Sequence, residues 1–150
     1  TDLESQATAA KSEAAALLRI REDLGDALLA GNEYALAAAA FTRAMDSLPA
    51  DHGGRRNVIA PKLLDAWLHA PAHDRAISLV LAATSPEMLA SFAERLLAYV
   101  EDLARIDGRA AQECIERFRK GAPALFEGDW GPRFDQIRRA ASQPATTASG

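Results

Sequence analysis

The chain has 150 residues, 49% of them hydrophobic, 25% charged and 6% aromatic, with a formal net charge of −4 and one cysteine. That is about one domain's worth of chain, apolar enough to build a core without staples and too apolar for charge-driven disorder. A lone Cys114 excludes an intramolecular disulfide and a cysteine zinc site, and it points to a reducing, cytoplasmic compartment. The polar, acidic start from Thr1 to Lys11 lacks the pattern of a signal peptide. The longest apolar run, Ala35 to Phe41, falls far short of the roughly 18 residues of a membrane span. Thirty-four alanines against nine glycines and seven prolines bias the chain strongly toward helix.

Helical periodicity dominates from the beginning. Apolar residues recur at Leu3, Ala7, Ala10, Ala14, Leu17, Leu24 and Leu28, with Arg21 interrupting the heptad. An alanine seam lets another helix come close but buries little area, so this first helix is expected to dock on something, a second copy included. Gly31 suits the end of that helix and Asn32 the cap of the next. The second helix carries Tyr34, Ala37, Phe41, Ala44 and Leu48 on one face, and Pro49 closes it.

Residues 49–57, rich in glycine and charge, read as a mobile loop. Asn57 or Ala60 then opens a third helix with Pro61 near its first turn and Leu63, Leu64, Trp67 and Leu68 along it. Beyond Pro71, Asp74 is a natural cap for a short helix from Arg75 to Ala83. It is apolar nearly all round, which places it at the centre of the core. Thr84 and Glu87 have capping-box spacing with Pro86 in the first turn, opening a helix to about Ile106 with Leu89, Phe92, Leu96, Val100 and Leu103 inward. Asp107-Gly108 separates it from a sixth helix that turns Ala111, Cys114, Ile115 and Phe118 inward and stops at Gly121. Pro132 begins a last helix with Phe134 and Ile137, and the tail, residues 142–150, is expected to be disordered. Alternation of the strand kind is missing throughout. The fold class is therefore all-α: one domain over residues 1–141, with six to seven helices in antiparallel hairpins.

Within residues 18–51, Leu24-Gly25, Ala37, Phe41, Ala44 and Pro49 stand at the spacing of a tetratricopeptide (TPR) repeat, and this segment resembles one. In that pattern Gly25 and Ala37 are small so that two helices can touch, and Phe41 fills the neighbouring hole. Arg21 stands where the family prefers tryptophan and Leu28 where it prefers tyrosine. The pattern does not recur 34 residues on, where Val58 and Ile59 take the Leu-Gly positions. The resemblance implies an α-solenoid-like amino-terminal end and a protein- or peptide-binding role. Its matching surface positions are Arg19, Glu22, Asp26 and Leu29, whose acidic pair suits a basic or mixed partner segment. Trp130, between glycines in the GDWGP stretch, is either a further partner anchor or a lid over the core.

Chemistry leaves weaker marks. His69 and His73 are four apart, a metal-ligand spacing, but Pro71 breaks the helix between them. His52 beside Asp51 is not accompanied by a marked nucleophile, and no glycine-rich phosphate loop or GxSxG elbow occurs. No cofactor or metal is expected from these patterns, and an enzyme stays open only as a pocket that no linear motif reveals. Nucleic acid would have to be bound by the carboxy-terminal basic residues Arg117, Arg119, Lys120, Arg138 and Arg139. Net charge is −5 over residues 1–51, +1 over 52–100 and zero over 101–150, which argues against phosphate backbones as partners. Arginine outnumbers lysine 14 to 3, and with so much alanine this suggests a bacterial coding sequence of high GC content. The leading expectation is a bacterial adaptor or regulatory helical domain that binds a partner helix or peptide, self-association included.

Overall fold

A computed structural model describes residues 2–48, 53–83 and 85–142. Pro49, Asp51, His52, Thr84 and the tail residues 143–150 thus lie outside the described residues, and with them the closing proline, the loop histidine and the expected disorder. Among the described residues there are seven α-helices and one 3-10 turn, and no strand. The all-α expectation holds. The chain divides into two compact units at Ala70–Pro71, and each is described by itself.

The first unit contains α1 (Asp2–Ala30), α2 (Tyr34–Asp46) and α3 (Gly53–His69). Helix α1 ends in a reversal that sequence expectation gave to Gly31, but Asn32 is the residue with positive φ, 62°. Asn tolerates the left-handed region better than other side chains. The Asn32 amide donates to the Leu29 carbonyl (3.0 Å) and the Glu33 amide to the Leu28 carbonyl (2.8 Å), which satisfies the last carbonyls of α1. Asn32 therefore ends α1 rather than capping α2, whose N-cap is Glu33 without a side-chain bond. Its Oδ1 instead accepts from the Tyr34 hydroxyl at 2.9 Å.

Helices α1 and α2 form a hairpin held by one close approach. A Cβ on Gly25 would meet the Phe41 ring at 2.5 Å, so glycine is what lets that fully buried ring lie against the α1 backbone. Ala37, Ala38, Ala40 and Ala44 of α2 are buried as well. Helix α3 departs from expectation at its start: Gly53 to Asn57 are helical instead of belonging to a loop, and Pro61 sits in mid-helix. Its missing N–H leaves the Asn57 carbonyl without its helical donor, and Asn57 is exposed, where water can serve instead. Ile59, Leu64, Ala66 and Leu68 are fully buried.

The second unit contains α4 (His73–Leu81), α5 (Pro86–Ile106), α6 (Gly108–Gly121), the 3-10 turn Pro123–Phe126, and α7 (Trp130–Ser142). Helix α4 is not the central element expected: only Ala76 and Val80 are buried, and Leu81 is 65% exposed. Its N-cap is Ala72, with no side-chain bond from Asp74. Gly121 lets it approach α6, since a Cβ there would meet the Ile77 side chain at 2.8 Å. Helix α5 is capped by Ser85, whose Oγ accepts from the Met88 amide at 3.1 Å, with Pro86 behind it in the first turn. Phe92, Leu96 and Val100 are buried as expected, joined by Met88, Ala93 and Leu97, while Leu89 and Leu103 are half-buried. Asp107 caps α6 through the Ala110 amide (3.1 Å), and Ala111, Cys114, Ile115 and Phe118 all face inward. Helix α7 begins two residues before Pro132 and runs through Ser142, burying Gly131 and Phe134. A side chain at Gly131 would strike the Phe126 carbonyl, so the approach of α7 to the 3-10 turn depends on that glycine.

Candidate interaction surfaces

Two surfaces and one ion cluster gather the residues that sequence singled out. The cluster ties α1 to α3. Glu22 is only 4% exposed, and its carboxylate accepts hydrogen bonds from the Arg55 guanidinium and from Lys62 Nζ (3.2 Å). Lys62 also reaches Asp26 at 2.9 Å. Burial alone would raise the Glu22 carboxyl, but the bonds and positive charge of Arg55 and Lys62 outweigh it and hold it below its usual value. Burial would likewise lower the Lys62 ammonium, and the Asp26 and Glu22 carboxylates instead raise it. Of the four TPR-matched positions, Glu22 is thus turned in toward α3, Asp26 and Leu29 are half-buried, and Arg19 is exposed. Arg55 and Lys62 escaped the sequence reading because their partner lies 33 and 40 residues away. The one available signal was that Glu22 shares a helix face with Gly25, which packs.

The first surface is the amino-terminal part of α1. Residues 2–17 are exposed throughout, with Leu3 at 78%, while the helix turns inward only from Leu18 onward. Ile20 and Leu24 stay 62% and 51% exposed on the outer side. Helix α2 covers the same α1 helix only over its later turns: Arg21 donates to the Arg43 carbonyl (3.5 Å) and to Ser47 Oγ at the far end of α2. The stretch that carries Leu3, Ala7, Ala10 and Ala14 therefore lies beyond the turns of α1 that α2 covers.

The second surface lies in the second unit, around the first turns of α5. Two open hollows of about 470 and 490 Å³ share Pro86, Leu89 and Ala124. One extends to Val80 and Leu81 of α4, the other to Trp130 and Arg133 of α7. Trp130 is half-buried, with the Arg133 guanidinium 5.3 Å from its ring centroid. It forms part of the wall of that hollow.

The basic residues of α6 and α7 are mostly engaged within the unit. Arg117 donates to Asp74 (2.6 Å), Arg119 to Asp135 (2.6 Å), and Arg138 to Glu116 (3.1 Å). The Arg119 bond, with the charges of Arg138 and Arg139, holds the Asp135 carboxyl below its usual range. Lys120 and Arg139 are exposed. With Arg117, Arg119 and Arg138 paired to carboxylates, the set makes a thin footprint for a phosphate backbone.

The histidines part company. The His69 ring stacks on Tyr34 with centroids 4.7 Å apart and Nδ1 2.9 Å from the Asp65 carbonyl. His73 sits edge-on to Tyr99 and Phe118, where burial and the Arg117 charge hold its imidazole below the usual value. Burial pushes the Cys114 thiol up to about 12, far from a thiolate nucleophile at neutral pH. Among the described residues, no three His, Cys, Asp or Glu side chains are placed to hold a metal ion, and no helix is long and apolar enough to cross a membrane. Comparison with protein families, characterised proteins and solved structures gives no match.

Proposed function

We propose that the chain is a protein–protein interaction module, an adaptor or regulatory domain of a bacterial protein, whose first helix docks on a partner helix. The carrying observation is the uncovered face of α1 over residues 2–17. A helix stretch of that length is marginal alone in water, and a packed face is what normally stabilises it. Leu3 at 78% exposure supplies an apolar anchor, and the alanines that follow allow a partner backbone to approach closely. The hairpin of α1 and α2, which carries the TPR-like residues Gly25 and Phe41, supports the same reading: their close contact packs the base from which α1 projects. The free, buried thiol of Cys114 agrees with a reducing, cytoplasmic setting.

Ala10→Asp tests the docking. Ala10 is exposed, so the variant should keep the packed fold with at most a local loosening of the free turns, but a charge at the middle of the seam should abolish binding. The measurement is amide exchange across residues 3–17 of the full chain, alone when dilute and then with each purified protein that associates with it, a second copy included. Protection gained by the native chain and not by the variant supports the reading. Binding that survives Ala10→Asp undiminished overturns it.

A further inference from the structure

We infer that residues 3–14 of α1 pair antiparallel with the same residues of a second copy of this chain, each Glu4 set against the other copy's Lys11. The inference rests on the docking reading above and names its occupant. Leu3, Ala7, Ala10 and Ala14 follow one another at the four-three spacing of a heptad seam, and every residue from Asp2 to Leu17 is exposed. Glu4 and Lys11 flank the seam on one side, each just after a seam residue, and Gln6 and Glu13 flank it on the other, each just before one.

Pairing two such helices head to tail about a two-fold axis places Leu3 against Ala14 of the second copy and Ala7 against its Ala10. Each large residue then meets a small one, so the two backbones stay evenly and closely spaced. On one flank Glu4 faces Lys11 of the second copy, and the symmetry repeats the pair. On the other, Glu13 meets the uncharged Gln6. Sliding by one heptad brings Lys11 against Lys11 and Glu13 against Glu13, repulsive on both flanks. A parallel pair gives no opposite-charge partner at all, with Lys11 beside Gln6 and Glu13 beside Leu18, and it stacks Leu3 on Leu3. Charge and side-chain size therefore select the same register. The paired stretch is only about 18 Å long, so the dimer is weak and concentration-dependent.

Sedimentation equilibrium of the full chain at low salt, over a wide range of concentration, reads the association. A reversible monomer–dimer equilibrium is expected. Lys11→Glu and Glu4→Lys each turn two attractive pairs into two repulsive ones and should each weaken the dimer about tenfold. The decisive sample is the two variants mixed: one chain is then acidic at both positions 4 and 11 and the other basic at both, so opposite charges face each other again and association should return. A mixture no tighter than its components overturns the register. A native chain that stays monomeric overturns the inference while leaving the docking reading to its own test, since a different protein protecting residues 3–17 would still satisfy that.

Discussion

The two halves of α1 share one helix and one heptad rhythm but differ in what the rest of the chain lays against them. From Leu18 to Ala30, Gly25 receives the Phe41 ring, Arg21 reaches the end of α2, and Glu22 is clasped by Arg55 and Lys62. From Asp2 to Leu17 the residues are exposed. Helix α1 has 29 residues and α2 only 13, so the covering helix runs out before the covered one does. The lesson is that apolar periodicity marks a face without saying whose atoms cover it. In the packed half the buried residues are Glu22 and Gly25, beside the seam, while the seam residue Leu24 stays 51% exposed; in the amino-terminal half every residue is exposed.

The sharpest way to break that contrast is to remove the ring on which the packed half rests. Phe41 is fully buried, and Phe41→Ala should cost about 3–5 kcal/mol through lost burial and the cavity left behind. Chemical denaturation followed by circular dichroism reads the loss. A cost below about 1 kcal/mol would mean that the Gly25–Phe41 contact does not organise the hairpin.

Glu22 comes next in size. Its carboxyl is held low, so its contribution is fully present above the ordinary carboxylate range and is lost as pH falls through that range and below. Glu22→Gln should cost about 1–3 kcal/mol near neutral pH, because the cationic partners it loses can still reach water. The variant should also flatten part of the acid limb of the stability curve. A stability profile with the same acid slope in both proteins would show that the cluster does not hold α1 to α3.

Helix class, most element positions and the inward residues of α6 were legible, because they depend on period and on short-range capping at Asp107. What escaped depends on distance or on context. Gly53 to Asn57 read as loop because two glycines and two arginines disfavour a helix start locally, yet Arg55 is fixed there by Glu22 from another helix. Helix α4 read as central because AISLVLAA is nearly all apolar, yet Leu81 stands at the rim of an open groove. Asn32 and Gly31 are both able to reverse the chain, and nothing in the order of the two says which takes the left-handed turn. For the interaction surface the seam was visible at once. That Glu22, one of the TPR-matched surface positions, turns inward to an ion pair across 33 residues was not.

The smallest effect separates the two halves most cleanly. Ala9 lies off the seam in the uncovered half, where a glycine costs helix propensity and nothing else. In dilute solution Ala9→Gly should leave global stability within about 0.5 kcal/mol, since the packed half unfolds on its own contacts. Amides of the surrounding turns should meanwhile exchange about fivefold faster, the equivalent of roughly 1 kcal/mol of local opening. The same substitution at Ala37, fully buried in α2, should instead lower the global transition. If Ala9→Gly also moved the global transition by that much, the two halves of α1 would be one cooperative element. The free face would then already be part of the fold it is argued to extend beyond.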